Sequence, residues 1–227
     1  MDRIHIPYSD REHAGRVLAD RLAGAIAPPC VVGAVPRGGL IVALPLAERL
    51  RAPVGIVFVR KLALPVAPEV AVGAIDEDGE TLLDPATARS VDATPEELAA
   101  ARRRARLEIE RQRAAYPSPP LAALLPGATA VLVDDGLATG LTMRAAVAWV
   151  RRHGAREVVV AAPCAATSAA RRLECEADRF FSPIVAGGPF AVGSFYRDFH
   201  PISDREVLDA LERARHAASP QGGESAP

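Results

Sequence analysis

Val131-Leu-Val-Asp-Asp-Gly-Leu-Ala-Thr-Gly-Leu-Thr142 is the stretch on which the reading of this chain turns. It grows out of an apolar run, Ala130 to Val133, of the kind that forms a strand buried on both faces. A polar, glycine-containing turn follows over 134–141, and Thr142 to His153 then has the make-up of a helix closed by Gly154. Glu157 to Ala162 is a second apolar run and supplies the next strand. Strands that are apolar throughout and linked by helices predict a parallel sheet covered on both faces.

The same order occurs in the first half. Cys30-Val-Val-Gly-Ala-Val35 is followed by Pro36-Arg-Gly-Gly39, an apolar helix-length stretch to Arg51, and Val54-Gly-Ile-Val-Phe-Val59. Pro45 is expected to kink this helix or delay its start. Ahead of it, Ser9 or Asp10 can cap a helix running to about Ile26, on the spacing of Ala14, Val17, Leu18, Leu22 and Ile26. The chain is therefore read as α/β, a doubly wound, mainly parallel sheet with a small hood or insert. One domain spans 1–217, its insert lies at about 76–126, and 218–227 is expected to be a disordered tail. In open sheets of this type ligands bind beyond the carboxyl ends of the strands, which singles out the loops after Val35, Val59 and Val133.

Between the halves, Arg60 to Glu69 carries Pro65 and Pro68 without periodicity and reads as a mobile loop. Val70 to Ile75 suits another strand, Asp76 to Ala93 is acidic and turn-rich, and Ser203 to His216 suits a C-terminal helix. Pro95 to Tyr116 reads as a helix rich in arginine, from Arg102 to Arg113, interleaved with Glu97, Glu108 and Glu110. It suits a solvated face, an RNA-binding patch or a homodimer interface, and the interleaved acids favour the first.

With 227 residues, 49% of them hydrophobic, the chain can bury one good core. Its formal charge of −1 provides no overall field to draw in nucleic acid or acidic lipid, so any anion site has to be local. Met1 to Asp10 has no apolar signal segment, and no run reaches the roughly 18 apolar residues of a membrane span, so a cytoplasmic location is expected. Cys30, Cys164 and Cys175 lack metal-ligand spacing and are read as buried thiols. No nucleotide-binding glycine motif of the mononucleotide or dinucleotide type occurs.

The chemistry concentrates in the loop after Val133. Asp134 and Asp135 are adjacent carboxylates at the end of a buried strand, where they have no packing role and can accept hydrogen bonds from a diol. Gly136 and Gly140 let the backbone turn tightly, while Thr139 and Thr142 place hydroxyls beside the free amides of a starting helix, a cradle for phosphate. Diol acceptors one short loop from a phosphate cradle describe a ribose 5-phosphate site. The competing reading is an Asp-Gly turn with threonine as a helix cap. A second candidate is Arg37 with Gly38 and Gly39, where amides and a guanidinium could meet an anion, although the same residues make an acceptable surface turn. The third is Arg60-Lys61 at the next strand end; Lys61 is the only lysine in the chain.

The segment from Asp134 to Thr142 resembles the PRPP-binding signature of type I phosphoribosyltransferases, and its wording is closest to the adenine phosphoribosyltransferase version. The resemblance implies that Asp134 and Asp135 hold the ribose hydroxyls, with an indirect part in binding Mg²⁺. It implies that Gly136, Leu137, Ala138, Thr139, Gly140, Leu141 and Thr142 wrap the 5-phosphate, and that Arg37, Gly38, Gly39, Arg60 and Lys61 serve the pyrophosphate. Alanine at 138 departs from relatives using 6-oxopurines, which carry an aspartate there, so a general base would come from elsewhere. Pro36–Arg37 is a candidate for an unusual peptide conformation. Pro68 to Gly79, Gly193 to Phe199 and Asp10 to Gly15 resemble a less characterised branch of predicted phosphoribosyltransferases. Phe195, Tyr196 and Phe199 could stack on a flat base or lock the C-terminal segment to the sheet. The activity implied is transfer of ribose 5-phosphate from PRPP to a nitrogen acceptor, a nucleobase or small amine. The alternative is a regulator or RNA-binding protein that keeps the PRPP site without transferase activity.

Overall fold

Five short strands, four of them almost wholly buried, form the centre of the molecule. The computed structural model describes residues 7–218. The order along the chain is α1 (Arg11–Leu22), β1 (Cys30–Ala34), α2 (Gly38–Leu50), β2 (Val54–Ile56), β3 (Val59–Leu64), β4 (Ala67–Asp76), β5 (Thr81–Leu83), α3 (Pro85–Ser90) and α4 (Pro95–Ala115). It continues with β6 (Thr129–Val133), α5 (Leu141–Arg152), β7 (Glu157–Ala161), β8 (Cys164–Ala166), α6 (Thr167–Glu176), β9 (Arg179–Phe181), β10 (Ile184–Ala186) and α7 (Asp204–Ala218). The central sheet has the order β2-β1-β6-β7-β9, with every pair parallel. Because side chains alternate across a strand, Val32, Ala34, Val131, Val133, Val159 and Ala161 pack into the core shared with α1, α2 and α7. Val31, Ala130, Leu132, Val158 and Val160 pack on the other face with α5 and α6. Strand order reverses between β1 and β6, and a ligand crevice is expected at such a reversal.

Several sequence expectations are corrected. The helix expected to reach Ile26 stops at Leu22; Gly24 and then Pro28 and Pro29 follow, residues that do not sustain a helix. Pro45 neither delays nor stops α2, which begins at Gly38 and carries the proline buried inside it. The expected strand Val54 to Val59 divides after Ile56, because Val57 makes its last sheet bond to the Ala34 carbonyl, at 2.9 Å, and the chain then leaves for the hood.

The largest correction is at 60–69, which is not a loop. β3 and β4 form an antiparallel hairpin there, joined by β5 into a three-stranded hood sheet that starts well before the expected boundary at 76. The prolines mislead because Pro65 sits at the turn and Pro68 in an irregularity where the register shifts, so neither has to donate to the ladder. α4 follows with a capping box made by Thr94 and Glu97. α7 continues to Ala218, the first residue of the expected tail, and 219–227 lie outside the described residues. All three cysteines are free, but only Cys164 is buried; Cys30 is half-buried and Cys175 exposed. Among the described residues no helix is long and apolar enough to cross a membrane.

Candidate active site

β1 and β6 pair from Cys30↔Thr129 to Ala34↔Val133, so their following loops leave the sheet side by side. Val35 N–H donates to the Val133 carbonyl at 2.9 Å and extends that contact by one residue. The Pro36–Arg37 peptide is cis, an unusual conformation as expected. Glycine is then required twice. A Cβ on Gly38 would overlap the Asp135 carboxylate, and one on Gly39 would lie 2.7 Å from the Val133 carbonyl oxygen. The start of α2 therefore rests directly on the acidic pair.

A cavity of about 200 Å³ opens beside this junction. Its walls include Asp134, Gly136, Ala138, Thr139, Gly140 and Thr142 from the β6–α5 loop, together with Lys61 of β3. Gly140, at φ +74°, is the N-cap of α5 and has no side chain to satisfy the first-turn amides. Thr139 Oγ1 accepts from Leu141 N–H at 3.4 Å. Free amides, the helix dipole, two hydroxyls and an ammonium group around one cavity make an anion site. Leu137 also lines it but is buried, and Leu141, buried in the core, is not on its wall. Leu137 is also pinned to β8, donating to Cys164 O at 2.9 Å and accepting from Ala166 at 2.8 Å.

The acidic pair divides between two environments. Asp134 is on the cavity wall, and its Oδ1 accepts from Asp135 N–H at 2.8 Å. Burial, and then the neighbouring Asp135 carboxylate, hold its pKa well above the ordinary carboxylate range. Asp135 is not on that wall. Its Oδ2 receives Arg11 Nε at 2.7 Å, and burial raises its pKa while Arg11 opposes the rise. Arg11 is only 7% exposed; it also donates to His200 O at 2.9 Å and lies 3.9 Å above the Phe199 ring. Tyr196 Oη donates to Asp135 O at 2.6 Å. Tyr8 and Ser9 are joined to 195–198 by three backbone hydrogen bonds of 2.9–3.1 Å, which lock this segment in place. Tyr196 and Phe199 thus take the locking role of the two weighed for them, while Phe195 stacks against Phe190 with centroids 5.2 Å apart.

Several predicted residues have partners outside the cavity. Lys61 Nζ also donates to Pro68 O at 3.4 Å. Arg60, its neighbour on the strand, points elsewhere: it helps lower the pKa of Glu108 on α4, an effect due chiefly to the Glu108 hydrogen bond with Arg111. Arg37 lies 3.6 Å from Asp204 at the start of α7, which Arg111 also reaches, at 2.8 Å. On α4, Arg106 pairs with Glu110 and Arg113 with Glu77. Sequence reading missed Arg11. A cation in the first turn of a helix opposes the dipole, and that was the available signal that a carboxylate elsewhere holds it.

Residues 11–196 match the phosphoribosyl transferase domain family. The chain belongs to this family. Two strains of Mycobacterium tuberculosis contain relatives named "Putative phosphoribosyl transferase MT0597" and "Putative phosphoribosyl transferase Rv0571c", each 39% identical over 207 residues. The match covers 91% of this chain and 47% of each relative, so the chain spans about half the length of the curated relatives it matches. The crystal structure of TT1426 from Thermus thermophilus is 38% identical, with a TM-score of 0.70, over 90% of this chain and 97% of that one.

Proposed function

We propose that this domain transfers the 5-phosphoribosyl group of PRPP to a nitrogen acceptor, a nucleobase or small amine, and releases pyrophosphate. The observation that carries the reading is the presence of Asp134 on the same cavity wall as the glycine-capped start of α5, Thr139 and Thr142, with Lys61 beside them. The cradle suits the 5-phosphate and Asp134 suits a ribose hydroxyl. The bond from C1 to the pyrophosphate oxygen breaks and its electron pair leaves with pyrophosphate. The acceptor nitrogen forms the new bond to C1 with its lone pair, and its surplus proton goes to solvent or to pyrophosphate. Little covalent chemistry is asked of the protein, so positioning and charge do the catalysis. Asp134 faces the sugar as it gains positive charge. Lys61 offsets the charge of the leaving group, and Arg37 joins it on exchanging Asp204 for pyrophosphate. The β3–β4 hairpin, which brings Lys61 and Ala71 to the cavity, shields the reacting carbon from water.

The donor set fits Mg²⁺ as a partner of PRPP. Among the described residues no group of three or more His, Cys, Asp and Glu is placed to hold a metal, and magnesium commonly binds one or two carboxylates with substrate phosphates and waters. Asp134 would hold it, and Asp135, turned onto Arg11, would have at most an indirect part. When bound it supplies positive charge to the pyrophosphate.

The test is pyrophosphate release from PRPP and Mg²⁺ across a panel of nucleobases and small amines. Release that depends on one acceptor and is lost in the Asp134→Asn, Asp135→Asn double variant supports the reading. Saturable PRPP binding without release from any acceptor replaces it with a PRPP-binding regulator, and absence of PRPP binding overturns it.

A further inference from the structure

We propose that Arg11 is a positioning residue of the phosphoribosyl site. By holding Asp135 it separates the tasks of two adjacent carboxylates, leaving Asp134 for the ribose hydroxyls and giving Asp135 to the architecture of the loop. The inference rests on the phosphoribosyl reading above.

Three features support it. The first is the contact between Arg11 Nε and Asp135 Oδ2, 2.7 Å long, made by a side chain only 7% exposed. A charge-assisted hydrogen bond in such surroundings fixes the direction of the carboxylate. Second, Arg11 is itself held from two further directions, by the His200 carbonyl at 2.9 Å and the Phe199 ring at 3.9 Å. A planar guanidinium satisfies all three partners together, which an ammonium group does not. Third, the pair forms the floor under the loop after β1: a Cβ on Gly38 would meet the Asp135 carboxylate and lie 2.8 Å from Arg11 Nε. Without Arg11, Asp135 has no counter-charge at that floor and is free to turn toward Asp134, displacing the one carboxylate that faces the ligand.

The test measures PRPP affinity by calorimetry, and KM and kcat separately, in Arg11→Gln, Arg11→Lys, Asp135→Asn, the Arg11→Gln/Asp135→Asn double variant and Phe199→Leu. Each protein is first checked for cooperative thermal unfolding. Arg11→Gln is expected to weaken PRPP binding about tenfold and to raise the KM for PRPP but not for the acceptor. Arg11→Lys restores part of the loss, and Phe199→Leu, which keeps both charges, weakens PRPP about threefold. The double variant should be no weaker than the weaker single variant, since residues acting as a unit are not additive. Wild-type affinity in Arg11→Gln, or losses that add in the double variant, overturns the inference. If Arg11→Gln does not fold, unchanged affinity in both Arg11→Lys and Phe199→Leu overturns it equally. A wild-type protein that fails to bind PRPP removes the phosphoribosyl reading and this inference with it, whereas binding that no variant alters removes the inference alone.

Discussion

Gly39→Ala is the substitution for which the structure makes the sharpest demand. The new Cβ would lie 2.7 Å from Val133 O and 3.0 Å from Asp134 Cα, both backbone atoms that no rotamer change can move. Restoring ordinary contact requires a separation of about 0.7 Å between the start of α2 and the end of β6, an overpacking strain worth about 2–3 kcal/mol. Alanine in a helix returns at most about 1 kcal/mol of propensity, leaving a net loss of about 1–2 kcal/mol. For a domain of this size that corresponds to a fall in Tm of about 2–8 °C. Gly24 is the control, since a Cβ there meets nothing within 4 Å; Gly24→Ala should leave Tm unchanged or raise it slightly. The displaced atoms carry Asp134, which the proposed reaction sets beside the ribose, and a misplacement on this scale costs up to about a hundredfold in rate. Differential scanning fluorimetry on both variants, with pyrophosphate release measured on the folded protein, checks the chain of reasoning. A Gly39→Ala protein with the melting temperature and the turnover of Gly24→Ala would refute it.

Asp134→Asn should cut pyrophosphate release by at least about a hundredfold while raising Tm at pH 7. The pKa values of Asp134 and Asp135 are raised in the folded protein, so folding stability falls as pH rises from the unfolded value of about 3.9 through the folded values. The gain from Asp134→Asn therefore vanishes below about pH 4, which a melting series across pH will reveal. Lys61→Ala should lower pyrophosphate release at saturating PRPP about tenfold or more in steady-state assays, and an unchanged rate would remove Lys61 from the leaving-group site. Thr94→Ala removes the capping box of α4 and should cost about 1 kcal/mol, or about 2–4 °C in Tm, with PRPP affinity in calorimetry untouched.

Four of the five central strands were legible because they are buried on both faces and read as apolar runs, as in Val131 to Val133 and Val158 to Val160, whereas the half-exposed edge strand β9, Arg179–Phe181, carries no such run and was not read. The turn between β6 and α5 was legible because glycine and threonine at a strand-to-helix junction mark a tight bend into a helix start. The β3–β4 hairpin was hidden by Pro65 and Pro68, whose missing N–H groups fall at a turn and a register shift, features without a period in sequence. Arg60 and Lys61 looked like a pair, but neighbours on a strand face opposite ways, and only Lys61 reaches the cavity. The split between Asp134 and Asp135 could not be read at all. It depends on Arg11, 124 positions away in the chain, and on Phe199 and His200 beyond it.

The zipper between Tyr8–Ser9 and residues 195–198 sets an order of events during synthesis. A ribosome-bound chain that has emerged only as far as α6 possesses four of the five strands of the central sheet, the β6–α5 loop and both aspartates, yet lacks the Phe199 ring and the His200 carbonyl that seat Arg11. The walls of this cavity are thus synthesised before the residues that fix the direction of Asp135. Fragments that end before Phe199 carry both aspartates without the ring and the carbonyl that seat Arg11.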